Sequence, residues 1–192
     1  MTKLYLASSS PRRKELLNQI GLDFKVKPSN IDENRFYQLP LERRPVELAK
    51  DKAYTLACEL TDGLVIGADT TVIFGNKPLD KPRTETEAKE MLSTLSGNRH
   101  RVITGVAVVN VSDRITLTDR GITDVWFRKL KSFEIDGYVA TGESMDKAGA
   151  YGIQGYGSLF VDKIHGCYYN VVGLPLSVLI KMLEAFGVQV LK

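Results

Sequence analysis

The chain opens with the stretch Leu4-Tyr5-Leu6-Ala7-Ser8-Ser9-Ser10-Pro11-Arg12-Arg13. Its apolar start predicts a strand, and the residues that follow predict a helix with Ser10 as N-cap and Pro11 at the first helical position. Apolar residues then recur at helical spacing until Gly21 ends the pattern. The stretch therefore predicts a strand that leads directly into a helix.

The same stretch is a candidate anion site. Free backbone N–H groups, serine hydroxyls and the guanidinium groups of Arg12 and Arg13 meet at the positive end of the helix dipole. A ligand with several anionic oxygens suits such a point, and a phosphate chain suits it best. The alternative is an ordinary capped helix with two solvated arginines.

Composition indicates an ordinary globular protein. The 192 residues are 43% hydrophobic and 26% charged, which fits one domain with a substantial core. No apolar run approaches the roughly 20 residues of a membrane span, and we expect no signal peptide before the first strand. The net charge of +3 comes without a basic run that aromatic residues interrupt, so nucleic-acid binding has little support. Cys58 and Cys167 lack the spacing of metal ligands, and we interpret them as reduced thiols of a cytoplasmic protein.

Periodicity and turn signals predict alternating strands and helices. Thr84-x-x-Glu87 has the pattern of a capping box and begins one of these helices. Predicted strands cover residues 3–7, 24–27, 64–74, 100–111, 114–127 and 159–164, and predicted helices cover 11–20, 45–60, 84–96, a segment from 132, and 175–186. Because helices join some strands and hairpins join others, the sequence predicts an α/β fold with a mixed, twisted sheet flanked by helices.

Two charged residues occur in apolar surroundings. Asp69 ends the apolar run 64–68, where a carboxylate is unfavourable without a partner or a function. It is a candidate general base or magnesium ligand, and the alternative is a turn aspartate that accepts from a backbone N–H. Lys52 shares the apolar side of the helix 45–60, so its ammonium group either reaches water or points into a cleft.

Other candidates lie in loops. Lys81 precedes a proline on a rigid loop. Asp32 and Glu33 follow a turn, where they either hold a metal or are simply solvated. The glycine-rich segment 142–157 allows close approach of backbone to a ligand. Within it, the carboxamide of Gln154 can accept from N3–H of uracil or thymine while donating to a carbonyl. The alternative is a mobile lid without contacts. The segment lacks the third glycine of a dinucleotide fingerprint, and the chain has no P-loop.

Taken together, an ordered set of motifs resembles the Maf family of nucleoside triphosphate pyrophosphatases. The resemblance extends from about Leu4 to Pro175, nearly the whole chain. The motifs are Ser8-Ser9-Ser10-Pro11-Arg12-Arg13, Ala68-Asp69-Thr70, Lys81-Pro82, Ser96-Gly97 with His100, Thr104-Gly105, Asp146-Lys147-Ala148-Gly149, Tyr151-Gly152-Ile153-Gln154-Gly155 and Asn170-Val171-Val172-Gly173-Leu174-Pro175.

The resemblance implies a fold like that of the inosine triphosphate pyrophosphatases. We therefore expect residues 1–192 to form a single two-lobed domain with a central cleft. The implied reaction is attack of water on the α-phosphorus of a nucleotide, which releases nucleoside monophosphate and pyrophosphate. The implied cofactor is a divalent cation, Mg²⁺ or Mn²⁺, and the implied assembly is a homodimer.

The resemblance also assigns roles to residues. Asp69 takes the place of the family's general base. Arg12, Thr70 and Gln154 match the positions linked to base choice in the branch that acts on dTTP and UTP, with CTP and modified pyrimidine nucleotides as further candidates. The expected phosphate-binding residues are Ser8, Arg12, Arg13, Lys52 and Lys81, and the expected metal ligands are Glu33 and Asp69.

Two rival functions follow from the same residues. A non-catalytic nucleotide-binding regulator of cell division and septum formation would keep Arg12 and Gln154 without needing the carboxylate of Asp69. A nucleic-acid-binding protein would show a basic stripe and strongly salt-dependent affinity.

Overall fold

The computed structural model describes residues 2–191. Their strands are β1 (Leu4–Leu6), β2 (Lys25–Val26), β3 (Leu64–Phe74), β4 (Lys77–Leu79), β5 (Arg99–Asn110), β6 (Thr116–Phe127) and β7 (Val161–His165). The α-helices are α1 (Pro11–Gln19), α2 (Arg44–Ala57), α3 (Glu85–Leu95), α4 (Ser132–Ala140), α5 (Tyr168–Val172) and α6 (Leu176–Ala185). Short 3₁₀ helices cover Glu33–Phe36, Ala148–Ala150 and Gly155–Phe160.

The seven strands of the described residues form one mixed sheet. Its order is β2-β1-β3-β5-β6-β7, and β4 pairs with β3. Strand β1 runs parallel to both β2 and β3, with Tyr5 opposite Lys25 and Val65. The β3–β4 and β6–β7 pairs are antiparallel. The predicted α/β class with a mixed sheet is therefore confirmed. None of the helices in residues 2–191 is both long and apolar enough to cross a membrane.

The chain divides into two compact units. The first comprises the described residues of Met1–Asp69, Thr104–Gly121 and Gly173–Lys192, and the second comprises Thr70–Ile103 and Ile122–Val172. Each unit has its own apolar cluster. Strands β3, β5 and β6 contribute residues to both units, so each cluster draws on only part of a strand.

In the first unit, α2 packs closely on the sheet. Its small residues Ala49 and Ala53 are buried with strand residues such as Val65 and Ala107. The close approach depends on glycine in the strands: a Cβ at Gly67 would lie 2.2 Å from the carbonyl oxygen of Ala49. A Cβ at Gly105 would likewise lie 2.3 Å from the carbonyl oxygen of Pro45. Strand glycines therefore set the distance between α2 and the strands below it.

In the second unit, α3 and α4 pack on the sheet and contribute six buried residues to the apolar cluster. The buried helix residues include Leu92, Leu95 and Ile135, and they pack with Phe127 of β6 and with Phe160. The predicted α3 begins as expected, because the Thr84 side chain accepts from the N–H of Glu87 at 3.1 Å. The capping box is incomplete, however: the Glu87 carboxylate accepts from the N–H of Arg83 rather than from that of Thr84.

Several predicted elements differ from the structure. β3 covers the predicted residues 64–74, so Asp69 lies in mid-strand and the alternative of a turn aspartate is wrong. The β-branched Thr70 and Thr71 favour this extended backbone. Ser10 occupies the N-cap position of α1, but its side chain makes no capping hydrogen bond. The strand predicted over 159–164 begins at Val161, because the six residues before it form a 3₁₀ helix. Sequence reasoning also missed β4 and α5.

Candidate active site

A lysine joins two carboxylates in the first unit. The Lys52 ammonium donates to Asp69 Oδ1 at 2.7 Å and lies 2.7 Å from Glu33 Oε1. The side chains of Lys52 and Asp69 are only 13% and 14% exposed. We call Glu33, Lys52 and Asp69 the carboxylate–lysine cluster. Of the two alternatives for Lys52, the structure contains the one in which the ammonium points inward.

Three different elements position this cluster. Asp69 is fixed in mid-β3, and Lys52 lies on α2, which Gly67 allows close to that strand. Glu33 begins a 3₁₀ helix whose N-cap is Asp32, with Asp32 Oδ1 accepting from the N–H of Asn34 at 3.1 Å. Asp32 is therefore a capping residue, and Glu33 is the carboxylate that faces Lys52.

Arg13 belongs to the same unit and is held by two oxygen acceptors. Its Nε donates to the carbonyl of Gly173 at 2.8 Å, and its Nη1 donates to Ser8 Oγ at 3.0 Å. Ser8 is buried, and its Oγ also accepts from the N–H of Ser10. These hydrogen bonds fix the guanidinium at the junction of β1 and α1, which is where the sequence predicts an anion site.

Burial shifts the proton affinities of the charged groups. Desolvation raises the pKa of Asp69 above its usual range, while the charges of Lys52 and Arg13 oppose the rise and that of Glu33 adds to it. Burial likewise lowers the pKa of Arg13, against the attraction of Asp69. A carboxylate with a raised pKa beside fixed cations is suited to accept a proton from water.

The donor set also fits a cation carried by a phosphate substrate. Glu33 and Asp69 each place a carboxylate oxygen 2.7 Å from Lys52 Nζ, so the two carboxylates face the same position. In residues 2–191 no group of three or more His, Cys, Asp or Glu side chains could hold a metal ion. Mg²⁺ is commonly bound by one or two carboxylates together with substrate phosphates and water. The two acids fit that mode of binding.

The remaining predicted residues are distributed over both units. Arg12 is partly exposed beside Arg13, and its charge contributes to the lowered pKa of that neighbour. Thr70, Lys81 and Gln154 belong to the second unit. Lys81 follows Asp80, whose carbonyl accepts from the N–H of Gly149 at 3.2 Å. That hydrogen bond joins the Lys81 loop to the glycine-rich segment 142–157, which carries Gln154.

Sequence reasoning missed two residues that shape the site. The carbonyl of Gly173 accepts from Arg13, although the two residues are 160 positions apart. Gly67 determines how closely α2 and Lys52 approach β3. An isolated glycine inside an apolar strand is a signal of close backbone approach, and it could have identified Gly67. No local signal marks the carbonyl of Gly173.

Comparison with solved structures identifies the class of fold. A HAM1 protein from Coxiella burnetii superposes over 96% of this chain and 100% of its own, with a TM-score of 0.52 and 17% identity. At that identity the likeness concerns the fold alone. It agrees with the expected inosine triphosphate pyrophosphatase-like architecture.

Sequence comparison then identifies the family. The family model described as "Maf-like protein" matches residues 3–186. The dTTP/UTP pyrophosphatase of Desulforamulus reducens is 47% identical over 99% of this chain and 100% of the relative. That of Moorella thermoacetica is 50% identical over 99% of this chain and 98% of the relative. This chain belongs to the Maf family.

Proposed function

We propose that this protein is a nucleoside triphosphate pyrophosphatase that hydrolyses dTTP and UTP to the nucleoside monophosphate and pyrophosphate. The names of its relatives support the reaction and the bases. The observation that carries the proposal is the Lys52 ammonium, 2.7 Å from the carboxylates of Glu33 and Asp69, in the unit that also holds Arg13.

Charge balance governs substrate binding in this proposal. A nucleoside triphosphate carries about four negative charges, which need cations at fixed positions. Arg13 is already held by Ser8 and Gly173, so it loses little conformational entropy when it binds phosphate. Lys52 is paired with two acids, and an incoming phosphate oxygen competes with them for its three N–H donors. Arg12 and Lys81 add further positive charge.

Asp69 acts as the general base. Water attacks the α-phosphorus, its proton passes to the Asp69 carboxylate, and the bond from that phosphorus to the bridging oxygen breaks to release pyrophosphate. Because burial raises the pKa of Asp69, the carboxylate accepts this proton more readily than a solvated one would. A divalent cation, Mg²⁺ or Mn²⁺, held by Glu33 and Asp69, would neutralise charge on the phosphates when bound.

Base selection is assigned to Arg12, Thr70 and Gln154. A carboxamide can pair with the N3–H and O4 edge of uracil or thymine, whereas a purine presents a larger and differently patterned edge. Mismatched bases leave polar groups unpaired, and this penalty is the physical source of discrimination. On the same grounds CTP should be an intermediate substrate, whereas these residues do not distinguish modified pyrimidine nucleotides from dTTP and UTP.

The direct test is pyrophosphate release from a panel of nucleoside triphosphates at fixed magnesium. We expect turnover of dTTP and UTP above that of ATP and GTP, and its loss on chelation of the metal. In H₂¹⁸O the label should enter the nucleoside monophosphate, because attack is at the α-phosphorus. The Asp69→Asn variant, purified in parallel, controls for contaminating hydrolases. Tight UTP binding without any turnover would instead support the non-catalytic regulator of cell division.

The assembly and the compartment complete the proposal. The family resemblance implies a homodimer, and the interpretation of Cys58 and Cys167 as reduced thiols implies the cytoplasm. Light scattering of the purified chain tests the dimer, and cell fractionation tests the compartment. A monomer at micromolar concentration would contradict the first, and recovery outside the cytoplasm would contradict the second.

A further inference from the structure

The second unit contains a buried histidine–tyrosine pair that the proposed reaction does not use. His100 lies near the start of β5, and Tyr151 follows the 3₁₀ helix Ala148–Ala150. The two side chains are 2% and 5% exposed, and His100 Nε2 shares a 2.7 Å hydrogen bond with Tyr151 Oη. Burial lowers the pKa of His100 to about 4 and raises that of Tyr151. Both groups are therefore neutral near pH 7 and unsuited to proton transfer there.

An aromatic contact fixes the orientation of the pair. The ring of Phe127 lies edge-on to both partners, with centroids 5.0 Å from His100 and 4.6 Å from Tyr151. Edge-to-face packing of this kind favours one arrangement of the three rings. Because the surroundings are dry, the hydrogen bond between His100 and Tyr151 is stronger than it would be in water. The pair thus ties the backbone at residue 151 to β5, 51 positions earlier in the chain.

The backbone on both sides of Gln154 is also held. Before it, the N–H of Gly152 donates to Tyr138 Oη at 3.2 Å, and Ile153 is buried. After it, the N–H of Tyr156 donates to a carboxylate oxygen of Glu143 at 3.4 Å. Gln154 itself is extended and exposed between these contacts.

Close packing of glycines reinforces these contacts. A Cβ at Gly157 would lie 2.2 Å from the carbonyl oxygen of Gly152, so the two ends of the segment touch. Gly155 adopts φ +63°, and a Cβ there would lie 2.8 Å from the Glu143 carboxylate. We call residues 151–157 the Gln154 segment. Its backbone is fixed at several points, while the carboxamide at its centre faces solvent.

We propose that the hydrogen bond between His100 and Tyr151 positions Gln154 for base selection. The inference rests on the proposed function. Hydrogen bonds from a carboxamide to a base edge weaken steeply with angle, and small displacements of a site residue have large effects. His100 and Tyr151 are positioning residues: they act through the backbone of the segment and do not touch the base.

The test is a double-mutant cycle between Tyr151→Phe and Gln154→Ala, read as the ratio of kcat/KM for UTP to that for GTP. Tyr151→Phe keeps the ring against Phe127 and removes only the hydroxyl. We expect the ratio to fall roughly fivefold, the effect of one lost hydrogen bond. In the Gln154→Ala background, Tyr151→Phe should have no further effect on the ratio. Tyr168→Phe, at an exposed tyrosine of the same unit, is the matched control and should leave the ratio unchanged.

A second variant and a second measurement cover other outcomes. His100→Gln keeps an amide nitrogen where Nε2 lies, and it should retain more discrimination than His100→Leu. Hydrogen exchange of the amides 152–156 should be faster in Tyr151→Phe than in the parent, and unchanged in Tyr168→Phe. If Tyr151→Phe keeps the parental ratio, or lowers it equally with and without Gln154, the inference is wrong although the proposed function stands. If the parent hydrolyses no triphosphate, the function fails, and unaltered exchange in Tyr151→Phe would separately overturn the positioning role.

Discussion

The carboxylate–lysine cluster and the Gln154 segment are held in place by different forces. In the cluster, side chains of opposite charge lie 2.7 Å apart, and burial raises the pKa of Asp69 against the pull of Lys52. In the segment, the main contacts are a neutral hydrogen bond between His100 and Tyr151 and close approaches of glycine backbone. One region depends on a balance of charges and the other on a fixed backbone.

The difference corresponds to two tasks. Ion pairs between side chains can exchange partners when a charged ligand arrives, so the cluster suits phosphate binding and proton transfer. A base edge is read by the direction of hydrogen bonds, so the segment needs a backbone that does not move. We therefore expect changes of charge to act most strongly in the first unit and changes of shape or hydrogen bonding in the second.

Replacing Asp69 by Asn should have the largest effect. The variant keeps the size and polarity of the side chain but removes the base, so we expect turnover of UTP to fall by about 10²–10⁴-fold. Binding of a non-hydrolysable UTP analogue, measured by calorimetry, should remain within a few-fold of the parent. The matched control is Asp62→Asn, which removes an exposed carboxylate paired with Lys3 in the same unit. Near-native turnover of Asp69→Asn at saturating magnesium would exclude Asp69 as the base.

The second prediction concerns the pH dependence of stability, to which His100 and Asp69 should contribute with opposite signs. The folded-state pKa of His100 is about 4, below the ordinary 6.5, so the unfolded chain binds the extra proton first. The stability associated with neutral His100 is thus complete above pH 6.5 and is lost as pH falls towards 4, by about 3 kcal/mol. The contribution of Asp69 to the pH dependence of stability has the opposite sign. Because the pKa of Asp69 is raised in the folded state, its protonation favours folding as the pH falls.

Chemical denaturation between pH 4 and 7 measures this prediction. The parent should lose more unfolding free energy on acidification than His100→Gln, which lacks the titrating imidazole. Asp69→Asn should lose more than the parent, because the opposing contribution is gone. Parallel pH profiles for all three proteins would show that neither pKa is shifted in the folded state.

The local pattern of the chain predicted much of the fold. The strand predicted over 3–7 and the helix over 11–20 occur as Leu4–Leu6 and Pro11–Gln19, because apolar alternation, Pro11 and Gly21 act locally. α5 was missed because five residues are too few for a helical period. Its Asn170 is instead held by hydrogen bonds to the carbonyl of Val102 and to Thr123 Oγ1, more than forty positions away.

The candidate site was predictable as a set of residue types but not as a geometry. Apolar neighbours of Asp69 and Lys52 made both charges conspicuous, and the ordered motifs assigned them roles. The pattern could not decide whether Lys52 reaches water or a carboxylate, since the answer depends on how closely Gly67 allows α2 to approach β3. The hydrogen bond that holds the Gln154 segment could not be predicted from sequence, because Tyr151 and its partner His100 are 51 positions apart in the chain.

Gly67→Ala should disturb the first unit by shape alone. The new methyl group would lie 2.2 Å from the Ala49 carbonyl oxygen, so α2 has to shift, and we expect a loss of about 1–3 kcal/mol in unfolding free energy. Lys52 moves with α2, so turnover should fall as well. The matched control is Gly137→Ala in α4, where a Cβ meets nothing within 4 Å. That change should stabilise by about 0.5–1 kcal/mol, because alanine loses less entropy in a helix. Equal effects of the two substitutions would contradict the close packing at Gly67.

The smallest and most specific effect is expected for Gln154→Glu. Glutamate has the length of glutamine but lacks the amide donor and places a negative charge opposite O4 of uracil. Cytosine carries an amino donor at that position, so the same change is tolerated better. We expect turnover of UTP to fall more than that of CTP, so that the ratio of kcat/KM for UTP to that for CTP falls about tenfold. Gln189→Glu adds the same charge at an exposed position and should leave the ratio unaltered. An unchanged ratio in Gln154→Glu would exclude this side chain from base selection. The fixed backbone of the Gln154 segment would then need another explanation.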